Sequence, residues 1–316
     1  MGFNFVKGVI FFFLTGLGMT GNIFVFMNCT CFIGGTKMKS THFILTHLVF
    51  TNIILLLSKG IPRTIAAFGF RNFLSDTGCK VVVYLGRVAQ GLSICTSSLL
   101  TVVQAITMSP RHSAWRRAQP RSAWHVLPLL LSLWGLNAMV SMNLLYIVSS
   151  SNMTSSQISK SDVYCDFLPK SQKVNWIFLT LLALRDTVFQ GLMGGASVYL
   201  VTLLHKHHQR VLHLQKSKVV CKTPHEIKAA QSVLLLMLCF LFFYWTDCFT
   251  SLYLAFSFKS DSITINLQEF LTFGYAILSP FVLIHRDGFQ AKCWHALQGG
   301  KTLRNCLLHS PFYRWK

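Results

Sequence analysis

The sequence predicts an all-α protein: a bundle of seven membrane-spanning helices with the N-terminus extracellular and the C-terminus cytoplasmic. Three observations carry that expectation: the apolar composition, seven long apolar runs, and an uneven spread of positive charge among the connections. Of 316 residues, 52% are hydrophobic and only 12% charged, against about one quarter charged in soluble domains. The formal net charge of +20 does not point to nucleic acid. The cations stand in short connections between apolar runs, as they do in the cytoplasmic loops of membrane proteins.

The first run covers about 8–32 and follows a short outer tail, 1–7. It is too long for the apolar core of a cleavable signal peptide and lacks a small-residue cleavage site. Val6 stands where an N-myristoylation motif needs Ser or Thr. The second run covers about 41–70, with a break expected near Pro62. The third, about 80–108, reads as the central post. As a helix, Lys80 to Met108 would run about 43 Å, beyond the ~30 Å hydrocarbon core, so it must tilt or project. After Lys80 its one charged residue is Arg87, and Ala89, Ser93 and Ser97 recur four apart, a small-residue face that lets helices approach closely in lipid. The remaining runs cover about 124–148, 174–204, 229–256 and 267–284, with a cytoplasmic tail at 285–316. This is one domain, without the internal repeats expected of many transporters.

Orientation follows from the loops. Lys37 and Lys39 follow the first run, Arg111, Arg116, Arg117 and Arg121 the third, and Lys206, Arg210, Lys216, Lys218, Lys222 and Lys228 the fifth. The other side holds most of the acids, including Asp76, Asp162, Asp166, Asp261 and Glu269. Positive-inside then sets the N-terminus out. On that outer side Asn152-Met153-Thr154 is a glycosylation sequon. Cys79, opening the third run, and Cys165, in the same outer loop as the sequon, share the oxidising side. Counting ten cysteines does not fix a pairing, but sidedness leads us to expect a Cys79–Cys165 bridge.

Seven spans, N-out, with these two cysteines resemble a G-protein-coupled receptor. Gly21-Asn22, Leu48 to Asn52 and Trp134 resemble landmarks of that superfamily. The stretch GLSICTSSLLTVVQAITMSP, Gly91 to Pro110, resembles more narrowly the third-helix motif of vomeronasal type-1 pheromone receptors. Leu184-Arg185-Asp186, Gly191-Leu192-Met193, Tyr244-Trp245-Thr246-Asp247 and Tyr275 to Pro280 are similar to the same family, and the resemblance covers nearly the whole chain. It implies a multi-pass plasma-membrane protein that detects small chemical cues in the vomeronasal organ and signals through a heterotrimeric G protein of inhibitory type. It implies no cofactor and no metal.

The chain departs from the wider superfamily. The usual Asp-Arg-Tyr place holds Val103-Gln104-Ala105, so Gln104 offers only neutral hydrogen bonds. The usual Asn-Pro-x-x-Tyr is Ser279-Pro280-Phe281-Val282-Leu283, and Asn52 replaces the usual aspartate of the second helix. Those differences fit vomeronasal receptors, and also a non-signalling relative. A bitter-taste-like chemoreceptor is the nearest receptor alternative; a transporter is the rival from another class. An opsin would need a lysine in 267–284, which is absent, and an aminergic receptor an aspartate where Gly86 stands. An enzyme is not expected: His225-Glu226 lacks a second zinc-motif histidine, and His205, His207 and His208 fall at the membrane surface.

Ionisable groups within spans are costly and face bundle interiors. Lys59, Arg87, Arg185, Asp186 and Asp247 all fall roughly 12 to 20 Å from the outer end of their helices by residue count, in one layer. They read either as a ligand chamber or as internal ion pairs. Arg185 and Asp186, being adjacent, should point to different faces and not form one simple pair. Tyr244 and Trp245 read either as core packing or, for Trp245, as an aromatic floor whose repacking transmits binding toward the cytoplasmic side. Three cations against two anions leave one positive charge over, assigned to Arg87 with Gln90 and Ile94 on the same face. The expected ligand is a small amphiphile with an acidic or acceptor group. Pro280 offers a kink in the seventh helix. The inner loops would meet the G protein and anionic lipid, and Cys293 and Cys306 are candidate palmitoylation sites.

Overall fold

The computed structural model describes residues 2–31, 40–70, 73–110, 122–150, 165–167, 172–215, 234–246 and 274–284, with positions 120, 231, 249 and 271. Among these residues the regular structure is helical apart from one short hairpin. The helices are α1 (Gly2–Cys31), α2 (Ser40–Ala67), α3 (Asp76–Met108), α4 (Ala123–Ser141), α5 (Gln172–Gln215), α6 (Leu234–Thr246) and α7 (Gly274–Ile284). Five, α1 to α5, are long and apolar enough to cross a membrane, and α6 and α7 are shorter apolar helices within the described residues.

The central helix is α3. Ser75 caps it, its Oγ accepting from the Gly78 N–H at 3.2 Å, and Asp76 in the first turn pairs with Lys80 at 2.7 Å. The helix stops at Ser109, whose extended backbone is what the following Pro110 requires. Between these ends Val88, Leu92, Cys95 and Val103 share one buried core with Val25 of α1, Leu48 of α2, Leu133 of α4, Met193 of α5, Phe240 of α6 and Tyr275 of α7. Polar ties run through the same core. Trp134 Nε1–H donates to His47 Nε2 at 2.8 Å. The other ring nitrogen, Nδ1, therefore carries the proton toward Thr96 Oγ1, 3.0 Å away. That chain links α4, α2 and α3. Near its C-terminal end α3 meets α5 through Ser109 Oγ and Tyr199 Oη, 2.6 Å apart. Gln104 is buried on α3.

Pro62 does not break α2, contrary to the expectation. Leu56–Gly60 form a π turn in which the Ile61 N–H bonds back to the Leu56 carbonyl. Pro62 then sits in the first turn of the segment Ile61–Ala67, where a missing N–H is tolerated. The turn brings Gly60 against α1 so closely that a Cβ there would lie 2.8 Å from Thr15 Cγ2. The helix ends at Ala67, and Gly69 turns the chain at φ +93°, a conformation cheap only for glycine.

Pro280 and Asn22 explain one another. Proline has no N–H, so the carbonyl four residues back, Ala276 O, loses its helical partner. Asn22 Nδ2 of α1 donates to that carbonyl at 2.8 Å, and to Gly18 O at 2.8 Å. Gly21 gives the proline ring room: a Cβ there would stand 3.0 Å from Pro280 Cγ. A turn away, Asn52 joins three helices. Ser93 Oγ of α3 donates to Asn52 Oδ1 at 3.1 Å, and Asn52 Nδ2 donates to Ser279 Oγ of α7 at 3.0 Å.

The hairpin pairs β1 (Val148–Ser150) with β2 (Cys165–Phe167), antiparallel, Ser150 opposite Cys165. Cys165 is bonded to Cys79 with Cα atoms 5.8 Å apart, and both pack with Ala66, Leu144 and Val148. The expected bridge is present and ties the hairpin to the first turn of α3. Asn152, Asp247, Cys293 and Cys306 lie outside the described residues.

Candidate functional site

Arg185 and Asp186 follow one another on α5, about 100° apart around the axis, yet they pair, correcting the expectation that they could not. Arg185 Nη2 lies 2.6 Å and Nε 2.8 Å from Asp186 Oδ1. The guanidinium stands on a long flexible stem, and its planar fork presents two N–H groups side by side to one carboxylate. The third arm, Nη1, donates to Asn137 Oδ1 of α4 at 2.9 Å. Tyr244 Oη of α6 donates to the other carboxylate oxygen, Asp186 Oδ2, at 3.0 Å. Arg185 is only 7% exposed. A charge so buried persists when it is paired and its donors are used. The node therefore binds α4, α5 and α6 together. It rests on α3 at Gly91, where an added Cβ would overlap both Asn137 Oδ1 and Arg185 Nη1.

On the other flank of α3, Lys59 projects from the π turn of α2. Its stem lies over Gly86, where a Cβ would come within 3.0 Å of Lys59 Cγ. Its Nζ donates to Gln90 Oε1 at 2.7 Å. Gln90 in turn lines a cavity of about 30 Å³ between α2, α3, α6 and α7. Leu55, Ser93, Ile94, Phe240, Phe243, Tyr244, Leu271, Tyr275 and Ala276 complete the wall, so it is aromatic on the α6 side. Phe243 packs onto the bare backbone of Gly274, where a Cβ would overlap its ring.

The structure thus brings Gln90 to the cavity, with Lys59 one contact behind it and Asp186 behind Tyr244. Arg87 is half-buried, engaged in an interaction of its own, and is not among the lining residues. Trp245 does not form the floor. It is 51% exposed and its ring meets Phe249 at 6.0 Å. Helical phase is the reason: with Phe240, Phe243 and Tyr244 facing inward, the next position turns outward. The aromatic wall is Phe240, Phe243 and Tyr244, with Tyr275 of α7 edge-on to Phe240 at 4.8 Å. Asn137 and Gly91 were missed. An amide in the apolar stretch LLLSLWGLNAMV was the available signal, since a polar group in a span seeks a partner.

The core built around α3, with the hairpin bonded to its first turn, is that of a seven-transmembrane fold. Squid rhodopsin superposes on it with a TM-score of 0.69 at 14% identity, over 98% of this chain and 92% of that one. The chain belongs to the vomeronasal organ pheromone receptor family, whose pattern matches residues 5–296. Vomeronasal type-1 receptor 4 of Homo sapiens is 33% identical over 275 residues, 86% of this chain and 91% of its own. Vomeronasal type-1 receptor 43 of Mus musculus is 33% identical over 304 residues, 96% of this chain and 91% of its own. The protein is a multi-pass plasma-membrane receptor, and receptors of this kind take small-molecule ligands and couple to G proteins.

Proposed function

We propose that this protein is a pheromone receptor that binds a small chemical cue inside its helix bundle and activates a heterotrimeric G protein of the inhibitory type. It has no catalytic role in this reading. The observation that carries it is the cavity between α2, α3, α6 and α7, whose aromatic wall shares Tyr244 with the Arg185–Asp186–Asn137 node. At about 30 Å³ the cavity has room for water, not for an organic molecule. A ligand enters by displacing Phe243 and Tyr244. Moving Tyr244 breaks its bond to Asp186 and loosens α6 from α5. The ligand then shifts the population toward that arrangement by its differential affinity for it, and α7 follows at the Pro280 kink. The ligand is an amphiphile whose apolar body takes the aromatic wall and whose acceptor group meets the α3 face carrying Arg87 and Gln90.

The chain is a single domain with spans near 8–32, 41–70, 80–108, 124–148, 174–204, 229–256 and 267–284. In the proposed orientation its N-terminus and a glycan on Asn152 are outside, and the basic inner loops and tail face the G protein and anionic lipid. An epitope tag at Lys316 should be stained only after permeabilisation; staining of intact cells would contradict the orientation. The function is tested in reporter cells given a panel of small chemical cues. A response abolished by toxin inactivation of inhibitory Gα is expected. A surface-expressed receptor with no G-protein-dependent response would favour a transporter or a silent relative.

A further inference from the structure

The strongest unassigned feature of the cavity is the orientation of one amide. An ammonium can only donate, so the oxygen of Gln90 is the atom that must face Lys59, and it does, at 2.7 Å. Lys59 is held there by the π turn that carries it and by bare backbone at Gly86 beneath its stem. With Oε1 taken, what Gln90 has left is its –NH₂ group. Among the described residues Lys59 is the one hydrogen-bond partner of the Gln90 side chain. The other polar groups on the wall are already engaged with partners of their own. Ser93 donates to Asn52 Oδ1, Tyr244 donates to Asp186 Oδ2, and Tyr275 is engaged with Ser97 Oγ at 3.0 Å.

We infer that Gln90 is the specificity-determining residue of this cavity: its amide N–H groups, held in one orientation by Lys59, select a neutral ligand bearing a carbonyl or ester oxygen. Lys59 is then a positioning residue. Apart from Ser93, the rest of the wall is apolar or aromatic, which accommodates a hydrocarbon body and makes entry of an anion costly. Placing an uncharged acceptor on the half-buried Gln90 amide gains a hydrogen bond without that penalty. This rests on the ligand reading above, and narrows its acceptor group to a neutral one and its place on the α3 face to Gln90.

The test uses the full chain in lipid nanodiscs, with thermal-shift titrations of medium-chain methyl ketones, the matching carboxylates and the matching alkylammonium ions. The wild type should bind the ketones best. Gln90→Leu should weaken ketone binding about tenfold. Gln90→Glu, which keeps a partner for Lys59 but offers no N–H, should weaken it similarly while remaining folded. Lys59→Met should weaken it in the wild-type background and add little to Gln90→Leu, since one contact serves the other. Unchanged ketone affinity in Gln90→Glu, independent losses in the double variant, or carboxylates as the preferred probe would overturn the assignment, as would a panel in which no ketone binds. Ketone binding without any G-protein response would sink the receptor reading and leave this one. A G-protein response indifferent to Gln90 would do the reverse.

Discussion

Gly91 shows how much of this site depends on an atom that is missing. The Arg185 guanidinium and the Asn137 amide occupy the space a Cβ would need, and both are buried. Gly91→Ala should therefore push the guanidinium off its acceptors, at a cost of about 2–4 kcal/mol. Thermal denaturation of purified protein should register the loss, with reduced surface delivery in cells. Gly135→Ala, where nothing lies within 4 Å, is the control and should be neutral. Equal behaviour of the two variants would mean the node is not packed as described. The sequence flagged Arg185 and Asp186 as buried ionisable groups. It did not reveal that they pair, because adjacency in a helix says where Cβ atoms point and not where a long side chain ends. Trp245 was misplaced for a related reason. Inside lipid the outer face of a helix is as apolar as its inner face, so in LFFYWT nothing but helical phase separates Tyr244 from Trp245.

Between elements, the tie from α1 to α7 makes the most exacting prediction. Asn22 and Pro280 were both legible as landmarks, while their complementarity appeared only when α1 and α7 were side by side. Asn22→Ala strands the Ala276 carbonyl and should cost about 1–3 kcal/mol. In a Pro280→Ala background residue 280 regains its N–H, Ala276 recovers a helical partner, and Asn22→Ala should cost clearly less. Denaturation midpoints of the four proteins form a double-mutant cycle. Additive effects would show that Asn22 serves something other than the carbonyl freed by Pro280. The π turn in α2 was foreshadowed by Pro62, but the sequence suggested a break. Whether a proline ends a helix or is absorbed by a wider turn depends on its neighbours, here Thr15 of α1 packed against Gly60.

At the scale of the whole molecule, the long apolar helices α1 to α5 and the central role of α3 were readable because length, apolarity and spacing of small residues are properties of the chain itself. The Cys79–Cys165 bridge was readable because sidedness restricts which thiols meet. The cavity was not, since its wall draws on four helices and its shape is set by how they pack. What unites the levels is the claim that a ligand in this cavity moves α6 by taking the place of Tyr244, and that the movement reaches a G protein. The direct measurement is nucleotide exchange on a purified inhibitory G protein, mixed with receptor in nanodiscs, with and without a cue that thermal shift has shown to bind. The account predicts ligand-dependent acceleration of exchange, and a raised ligand-free rate in Tyr244→Phe, which cannot hold Asp186. A bound cue that leaves exchange at its basal rate, with Tyr244→Phe indistinguishable from wild type, would contradict it.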